Sequence, residues 1–138
     1  MRRPRLNLAF CAAFIVPALS ASPARAACDD PPRPGVNWAG CDKSNANLRG
    51  ADLQGADLGG AIFRHAILQD ARLIGANLQR ADLRGADVTN IILVNANLGR
   101  AILRDVNLRG VDLTGVTLGG ATWTDGRICG VGSTGRCR

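Results

Sequence analysis

A five-residue repeat is the feature of this sequence that most constrains its fold. The stretch ANLRGADLQGADLGGA, residues 46–61, restates Ala, then Asn or Asp, then Leu, then two variable residues. Counted from Trp38, a central apolar residue falls at every fifth position through Ile128, with a charged exception at Lys43, giving nineteen repeats. Thirteen centres are leucine, and twelve of the nineteen residues two places before a centre are alanine. The pattern predicts one continuous repeat array.

The spacing of the apolar residues predicts short extended segments separated by corners. The two apolar residues of a repeat lie two apart, so they point to the same side of an extended strand. The next pair follows after a gap of three, whereas an amphipathic helix mixes gaps of three and four. A corner at each longer gap returns the chain to the same interior. When every corner turns in the same sense, this geometry predicts a solenoid.

The outward positions indicate how many repeats make one turn, because stacked turns place similar residues above one another. Arg64, Arg84 and Arg104 recur at intervals of twenty, and so do Arg80 and Arg100. An interval of fifteen gives few such matches. Four repeats per turn are therefore predicted, with a square cross-section and 19/4, or about 4.75, turns.

The run ANLRG ADLQG ADLGG resembles the pentapeptide repeat family, and the resemblance covers residues 36–130. It implies an all-β fold, a right-handed quadrilateral β-helix. It also implies that the centre and the residue two before it point inward, while the other three positions face solvent. Lys43 departs from this pattern, and we expect an open first turn to let its ammonium group reach water.

The segments around the array predict an export signal, an N-terminal cap segment and a C-terminal tail. Residues 1–26 combine a basic start, an apolar core too short for a transmembrane span, and an Ala-x-Ala site. They predict a signal peptide cleaved near Ala26, and hence a periplasmic or secreted protein without a transmembrane segment. Residues 27–35 are expected to form an N-terminal cap segment, and residues 131–138 a C-terminal tail.

Loss of the leader changes the charge of the chain. It removes four of the 17 basic residues and none of the 11 acidic ones, so the formal charge falls from +6 to 13 − 11 = +2. A charge this small gives no reason to expect a nucleic-acid partner.

Four cysteines remain after the leader is removed, an even number typical of disulfides in exported proteins. The sequence alone allows three pairings. Cys28 with Cys41 and Cys129 with Cys137 is preferred, because each pair lies at one end of the array, where it would pin a cap. A zinc site is the competing interpretation, although the chain has no Cys-x-x-Cys and its one histidine is distant in sequence.

The side chains that catalysis requires are scarce. The sequence has no glutamate, no tyrosine and a single histidine, His65, which has no neighbours spaced as in a catalytic triad or a metal site. We therefore predict no catalytic residues, no cofactor and no metal, and a protein that is not an enzyme.

Two outward surfaces are candidate binding sites, and the first is cationic. Arg64, Arg84 and Arg104 form an arginine column on one face, one turn apart. Such a column is a candidate anion-binding site. The alternative interpretation is that Asp82 and Asp105 nearby neutralise it.

The second candidate surface is apolar. Ile74, Ile92 and Val94 occupy outward positions of two successive turns on the fourth face, where the other faces mostly carry polar residues or glycine. Contiguous exposed hydrophobic residues indicate an interface with another protein or with a second copy. The alternative is that β-branched residues simply favour extended backbone.

Together these features predict a non-enzymatic structural or protein-interaction scaffold of the cell envelope, whose partner is another protein or itself. The alternative is a binder of anionic envelope glycan or lipid headgroups through the arginine column. The resemblance implies a third hypothesis, mimicry of DNA by a rod that binds DNA gyrase. That mimicry requires a strongly acidic cytoplasmic rod, whereas this chain is predicted to be exported and slightly basic.

Overall fold

A computed structural model describes residues 27–138, and the predicted signal peptide lies outside the described residues. Residues 27 and 28 are helical. The regular structure that follows consists of isolated β-bridges rather than long strands. From Asn37 to Thr122 the bridges are parallel, and each joins a residue to the one twenty places later. The predicted turn of four repeats is therefore present in the coil.

The coil has four faces, which we number in chain order, and each contributes one column of bridge residues. These residues immediately precede the repeat centres. The columns are Asn37, Asp57, Asn77, Asn97 and Thr117 on the first face; Asp42, Ile62, Asp82, Ile102 and Thr122 on the second; Asn47, Ile67 and Asp87 on the third; and Asp52, Arg72, Ile92 and Asp112 on the fourth.

Backbone hydrogen bonds tie each turn to its neighbours, as the repeat centred on Leu58 illustrates. The Leu58 N–H donates to the Asn77 carbonyl of the next turn at 2.7 Å, and the Asp57 N–H donates to the Val36 carbonyl of the previous turn at 2.9 Å. The Ala61 N–H donates back to the Leu58 carbonyl at 3.0 Å and closes the corner. The coil thus satisfies its backbone polar groups turn by turn.

Leucine and alanine fill the interior. Leu58, Leu78 and Leu98 stack one turn apart on the first face and are fully buried, as are the neighbouring Ala76 and Ala96. Each layer receives two inward side chains from each of the four walls. Because alanine is small, the leucines have enough space to fill the interior at close packing. The predicted inward positions are confirmed by this burial.

The corners require left-handed backbone at the second residue after a centre. Glycine meets this requirement at about half of the corners, and eight described residues with positive φ are not glycine. Asparagine and aspartate tolerate the conformation best. Arg80 and Arg100, with φ of 59° and 58°, are less suited to it, and each is strained by about 1 kcal/mol.

The array ends before Ile128, so the expectation that Ile128 is the nineteenth centre is wrong. The chain reverses at Asp125 and Gly126, and the Trp123 N–H donates to the Arg127 carbonyl at 2.7 Å. Ile128 forms an antiparallel bridge and is 63% exposed. Asp-Gly strongly favours a tight reversal, and here it overrides the repeat. The count of 4.75 turns therefore includes one repeat that does not join the coil.

The segment after the reversal packs on the last turn. Thr134 forms an antiparallel bridge with Thr117, and the Leu118 N–H donates to the Ser133 carbonyl at 2.8 Å. Ser133 is buried. The predicted C-terminal tail thus covers backbone groups that a further turn would otherwise pair with.

Two disulfides lie toward the two ends of the described chain. They join Cys28 to Cys41 and Cys129 to Cys137, with Cα–Cα distances of 5.5 and 4.9 Å. This is the pairing that the sequence favours.

The N-terminal segment covers the first turn, which corrects the expectation for Lys43. Its ammonium group does not extend freely into water. Lys43 Nζ donates to the Cys28 carbonyl at 2.5 Å and lies 3.9 Å from the centroid of the Trp38 ring. Trp38 Nε1 in turn donates to the Asp30 carbonyl at 3.2 Å. A cation at an inward position is tolerated because a carbonyl and an aromatic face replace water around it.

Candidate interaction surfaces

The structure places the three hydrophobic residues of the fourth face side by side. Val94 lies one turn above Ile74, and Ile92 precedes Val94 on the same wall. Ile92 is 39% exposed, whereas Ile74 and Val94 are half-buried. We call this trio the fourth-face patch. It is a small apolar area formed by one bridge residue, Ile92, and two corner residues, Ile74 and Val94.

Charged residues flank the patch along the coil. The fourth-face column runs Asp52, Arg72, Ile92 and Asp112 in successive turns, about 4.8 Å apart. The side chains of Arg72 and Asp112 are exposed, and neither makes an ion pair with another of residues 27–138. A cation and an anion therefore stand at equal distances on opposite sides of Ile92.

The arginine column of the second face is partly neutralised. Arg64 Nε lies 2.6 Å from Asp82 Oδ2, and Arg84 Nη2 lies 2.7 Å from the same oxygen. Only 10% of the Asp82 side chain is exposed. The hydrogen bond from Arg84, together with that from Arg64, outweighs burial and holds the pKa of Asp82 well below its usual range.

Arg104, the third member of the column, has a different environment. Its guanidinium lies near Gly126, where an added Cβ would be 3.7 Å from Arg104 Cζ. Neither Arg104 nor Asp105 forms an ion pair within the described part of the chain. The column therefore holds one arginine without a carboxylate partner rather than three, and Asp82 alone supplies the neutralisation expected of two aspartates.

Acid should weaken the fold through Asp82. Its pKa is lower in the folded than in the unfolded chain, so its stabilising effect is present above the unfolded value near 4 and is lost as pH falls toward the folded value. We expect the free energy of unfolding to decrease between pH 5 and pH 2. Urea unfolding across this range measures the slope, which should be shallower in Asp82→Asn. An equal slope in the two proteins would contradict the role of Asp82.

Asp87→Asn is the comparison variant for that titration. The Asp87 carboxylate is only half-buried, and hydrogen bonds from Thr89 lower its pKa. Its replacement should therefore change the slope in the same direction as Asp82→Asn, and by less.

Sequence reasoning missed a role for the Asn and Asp residues that precede the centres. Their side-chain oxygens accept hydrogen bonds from the backbone N–H two residues later, as in Asp57 with Gly59 at 3.2 Å and Asn97 with Gly99 at 3.0 Å. These residues were expected only to face solvent. They form Asx turns that lead into the corners. The sequence signal that could have revealed this role is that most of these positions are Asn or Asp.

The described residues offer little for catalysis or metal binding. Within residues 27–138, no three His, Cys, Asp or Glu side chains cluster so as to hold a metal ion. His65 is exposed at a corner, where its ring lies over Gly85. The same part of the chain contains no helix with the length and hydrophobicity needed to cross a membrane.

The repeat unit itself decides the family. A family model for pentapeptide repeats matches in eight copies, at residues 35–64, 44–80, 60–93 and 81–120. The chain belongs to the pentapeptide repeat family. Membership implies the right-handed quadrilateral β-helix, in agreement with the four-repeat turn of this pentapeptide repeat protein. Proteins of this family are generally non-enzymatic scaffolds.

Several solved structures are similar to this pentapeptide repeat protein. HetL, involved in heterocyst differentiation regulation in the cyanobacterium Nostoc sp. strain PCC 7120, is 38% identical over 68% of this chain and 52% of its own, with a TM-score of 0.47. A protein of the Arabidopsis thaliana thylakoid lumen is 27% identical over 75% of this chain and 81% of its own, with a TM-score of 0.44. Rfr23 of Cyanothece 51142 is 38% identical over 68% of this chain and 67% of its own, with a TM-score of 0.37.

This chain spans about half the length of HetL. No curated protein sequence matches the chain.

Proposed function

We propose that this pentapeptide repeat protein is a non-enzymatic scaffold of the cell envelope that associates with a second copy of itself through the fourth-face patch. The observation that carries the proposal is the order of Arg72, Ile92 and Asp112 in one bridge column. Export is part of the proposal. The basic and apolar sequence of residues 1–26 supports it, as do the two disulfides.

The fourth face is complementary to itself when two rods lie antiparallel. A two-fold axis along the strand direction, at the level of Ile92, places Ile92 against Ile92 of the second copy and Val94 against Val94. The same rotation brings Arg72 of each copy opposite Asp112 of the other, because these residues lie one turn below and one turn above Ile92. An isologous interface of this kind closes as a dimer.

The two kinds of contact have different effects. Burial of the exposed part of Ile92 supplies affinity, since apolar area leaves water. The two Arg72–Asp112 pairs set the register and orientation, because any other alignment leaves them unpaired or opposes like charges. With only three hydrophobic residues in the patch, the apolar contact is small, and a weak, reversible dimer is expected.

Sedimentation velocity of the oxidised chain over a concentration series tests the dimer. Arg72→Asp alone and Asp112→Arg alone should each weaken association about tenfold or more, because each places like charges opposite one another. The double variant Arg72→Asp/Asp112→Arg should restore association, since the pairs re-form with their signs exchanged. Failure of the double variant to recover would contradict the proposed register.

Arg109→Asp is the matched control. It makes the same change of charge on an exposed side chain of the third face and should leave association unchanged. A wild-type chain that remains monomeric at every concentration would overturn self-association.

Photo-crosslinking from position 92 in cells that express the full chain examines the same face in its proposed location. A crosslink between two copies supports the dimer, whereas a crosslink to another protein would replace self-association by a different partner.

The intact mass of the recovered chain tests export, because a protein that begins near Ala27 has lost the leader.

The arginine column receives less support as the functional surface. Arg64 and Arg84 share the carboxylate of Asp82, so part of their charge is already matched within the protein. Mimicry of DNA receives no support from charge, because residues 27–138 contain 13 basic and 11 acidic residues, a formal charge of +2. The fourth-face patch is the surface that best fits a partner.

A further inference from the structure

A groove runs along the first face near the C-terminal end of the coil, on a different wall from the fourth-face patch. Its volume is about 320 Å³, and the polar side chains that line it belong to Gln79, Arg80, Asn97, Arg100 and Thr117. We call it the first-face groove. We propose that it binds the phosphate group of a small phosphorylated molecule between the guanidinium groups of Arg80 and Arg100.

Two glycines create the groove. Gly99 and Gly119 follow repeat centres of the first face, at the position where Gln79 carries a long side chain. Neither glycine has left-handed backbone, so the backbone does not require glycine there. An added Cβ at Gly119 would lie 3.7 Å from the Gly132 backbone nitrogen. The C-terminal segment therefore closes the upper end of the groove, and Gln79 stands at the lower end.

The two arginines of the groove have no carboxylate partner. Arg80 and Arg100 are exposed, lie one turn apart, and make no ion pair within residues 27–138. No aspartate lines the groove. This differs from the second face, where Arg64 and Arg84 share Asp82. The first-face groove therefore combines two unmatched positive charges with a concave surface.

Both arginines occupy positions that favour glycine. The same corner column contains Gly60 and Gly120, and Arg80 and Arg100 replace glycine with φ near +60° in the two turns between them. Backbone strain of this kind tends to persist where a side chain has a use. Here the strain places two guanidinium groups at the rim of one groove.

The remaining polar groups of the groove are donors without a protein acceptor. The Asn97 Oδ1 atom accepts a hydrogen bond from the Gly99 N–H at 3.0 Å, while its Nδ2 group donates to no described residue. The Thr117 hydroxyl and the Gln79 side-chain amide also make no hydrogen bond within the described chain. Each of these groups can donate to an oxygen of a ligand.

This set of groups matches a phosphate monoester better than a monoanion. A phosphate monoester carries about −1.5 to −2 charges at neutral pH, which two guanidinium groups balance. Guanidinium donates in pairs to phosphate oxygens, and a separation of one turn, about 4.8 Å, lets two of them flank one phosphate. The amide and hydroxyl donors then meet the oxygens of a sugar-sized remainder, for which the groove has room.

Calorimetric titration of the oxidised chain with glucose 6-phosphate, inorganic phosphate and glucose tests the proposal. We expect binding of the two phosphates and none of glucose. The variant Arg80→Gly/Arg100→Gly should weaken phosphate binding about tenfold or more, because it removes both charge-assisted contacts. This variant relieves left-handed strain, so it should fold, which circular dichroism can verify.

Two further variants separate a specific site from general attraction to a basic protein. Gly99→Gln fills the groove without changing charge and should also weaken binding about tenfold or more. Arg49→Gln/Arg109→Gln removes two positive charges from the third face and should leave the affinity within about twofold. Equal weakening by this control pair, or absence of phosphate binding to the wild-type chain, would overturn the proposal.

The two phosphates distinguish the source of the ligand. Tighter binding of glucose 6-phosphate indicates that the groove recognises a phosphorylated sugar or a similar small molecule. Equal affinity supports the phosphate site and indicates that the free ion is its ligand. Neither outcome depends on the fourth-face dimer, because the first-face groove lies on another wall.

Discussion

Replacement of Leu78 by alanine is expected to lower the free energy of unfolding by about 2–5 kcal/mol. Leu78 is fully buried between Leu58 and Leu98, one turn below and one turn above it. The walls around it are held by backbone hydrogen bonds, such as the 2.7 Å bond from the Leu78 N–H to the Asn97 carbonyl. Because those bonds fix the spacing of the turns, the walls cannot close around the missing side chain, and a cavity remains.

Leu108→Ala is the matched control for this prediction. Leu108 is also a repeat centre, but it is half-buried, because the chain reverses before a further turn covers it. The same substitution should therefore cost less than half as much. Urea denaturation with intact disulfides measures both changes. Equal losses would show that the stacked interior does not control stability as the structure implies.

The second large effect is expected from the N-terminal disulfide. Cys28→Ser/Cys41→Ser should lower the free energy of unfolding by about 3 kcal/mol, because the bond closes a loop with a sequence separation of 13 and restricts the unfolded chain. The bond also holds the segment whose Cys28 carbonyl accepts from Lys43 Nζ. Without it, the inward-placed ammonium group loses part of its shielding.

Hydrogen exchange shows where this loss occurs. Amides of the first turn, such as Leu48, should exchange faster in the double serine variant, while those near Leu98 should change little. The corresponding change at Cys129 and Cys137, with a separation of 8, should cost about 2.5 kcal/mol and increase exchange at the opposite end. Uniform acceleration along the chain would instead indicate that the coil unfolds only as a whole.

The architecture was predictable because one physical constraint repeats along the chain. Alternation over two residues with a corner after three determines which side chains face inward, and the twenty-residue recurrence of outward residues gives the size of a turn. The cysteine pairing followed from the same argument, since only the ends of a coil need to be closed. These features depend on period and position, which sequence displays directly.

The end of the coil was not predictable from the period alone. Ile128 keeps the five-residue spacing, but Asp125 and Gly126 just before it form a reversal. A local turn signal competed with a long-range pattern, and the local signal prevailed. The sequence contained the Asp-Gly pair, so an explicit search for turn residues inside the array would have found it.

The candidate surfaces were predictable only in part. The position of Val94 above Ile74 follows from the turn length, but the sharing of Asp82 by two arginines depends on side-chain geometry. The first-face groove was not predicted from the sequence, because it exists where Gly99 and Gly119 have no side chain to fill the space. Glycine in this sequence was interpreted as the left-handed corner residue, whereas Gly99 and Gly119 occupy the corner position just before it, where the backbone does not require glycine.

The twenty-residue bridge also limits how such a chain can change in length. An insertion of one repeat between Ile92 and Asp112 would rotate every later residue by a quarter turn, and Asp112 would leave the column of Arg72 and Ile92. An insertion of four repeats would restore each residue to its face and only lengthen the rod. Insertions of whole turns can therefore increase the distance between two surfaces of this protein along the rod axis while keeping both surfaces on their original faces.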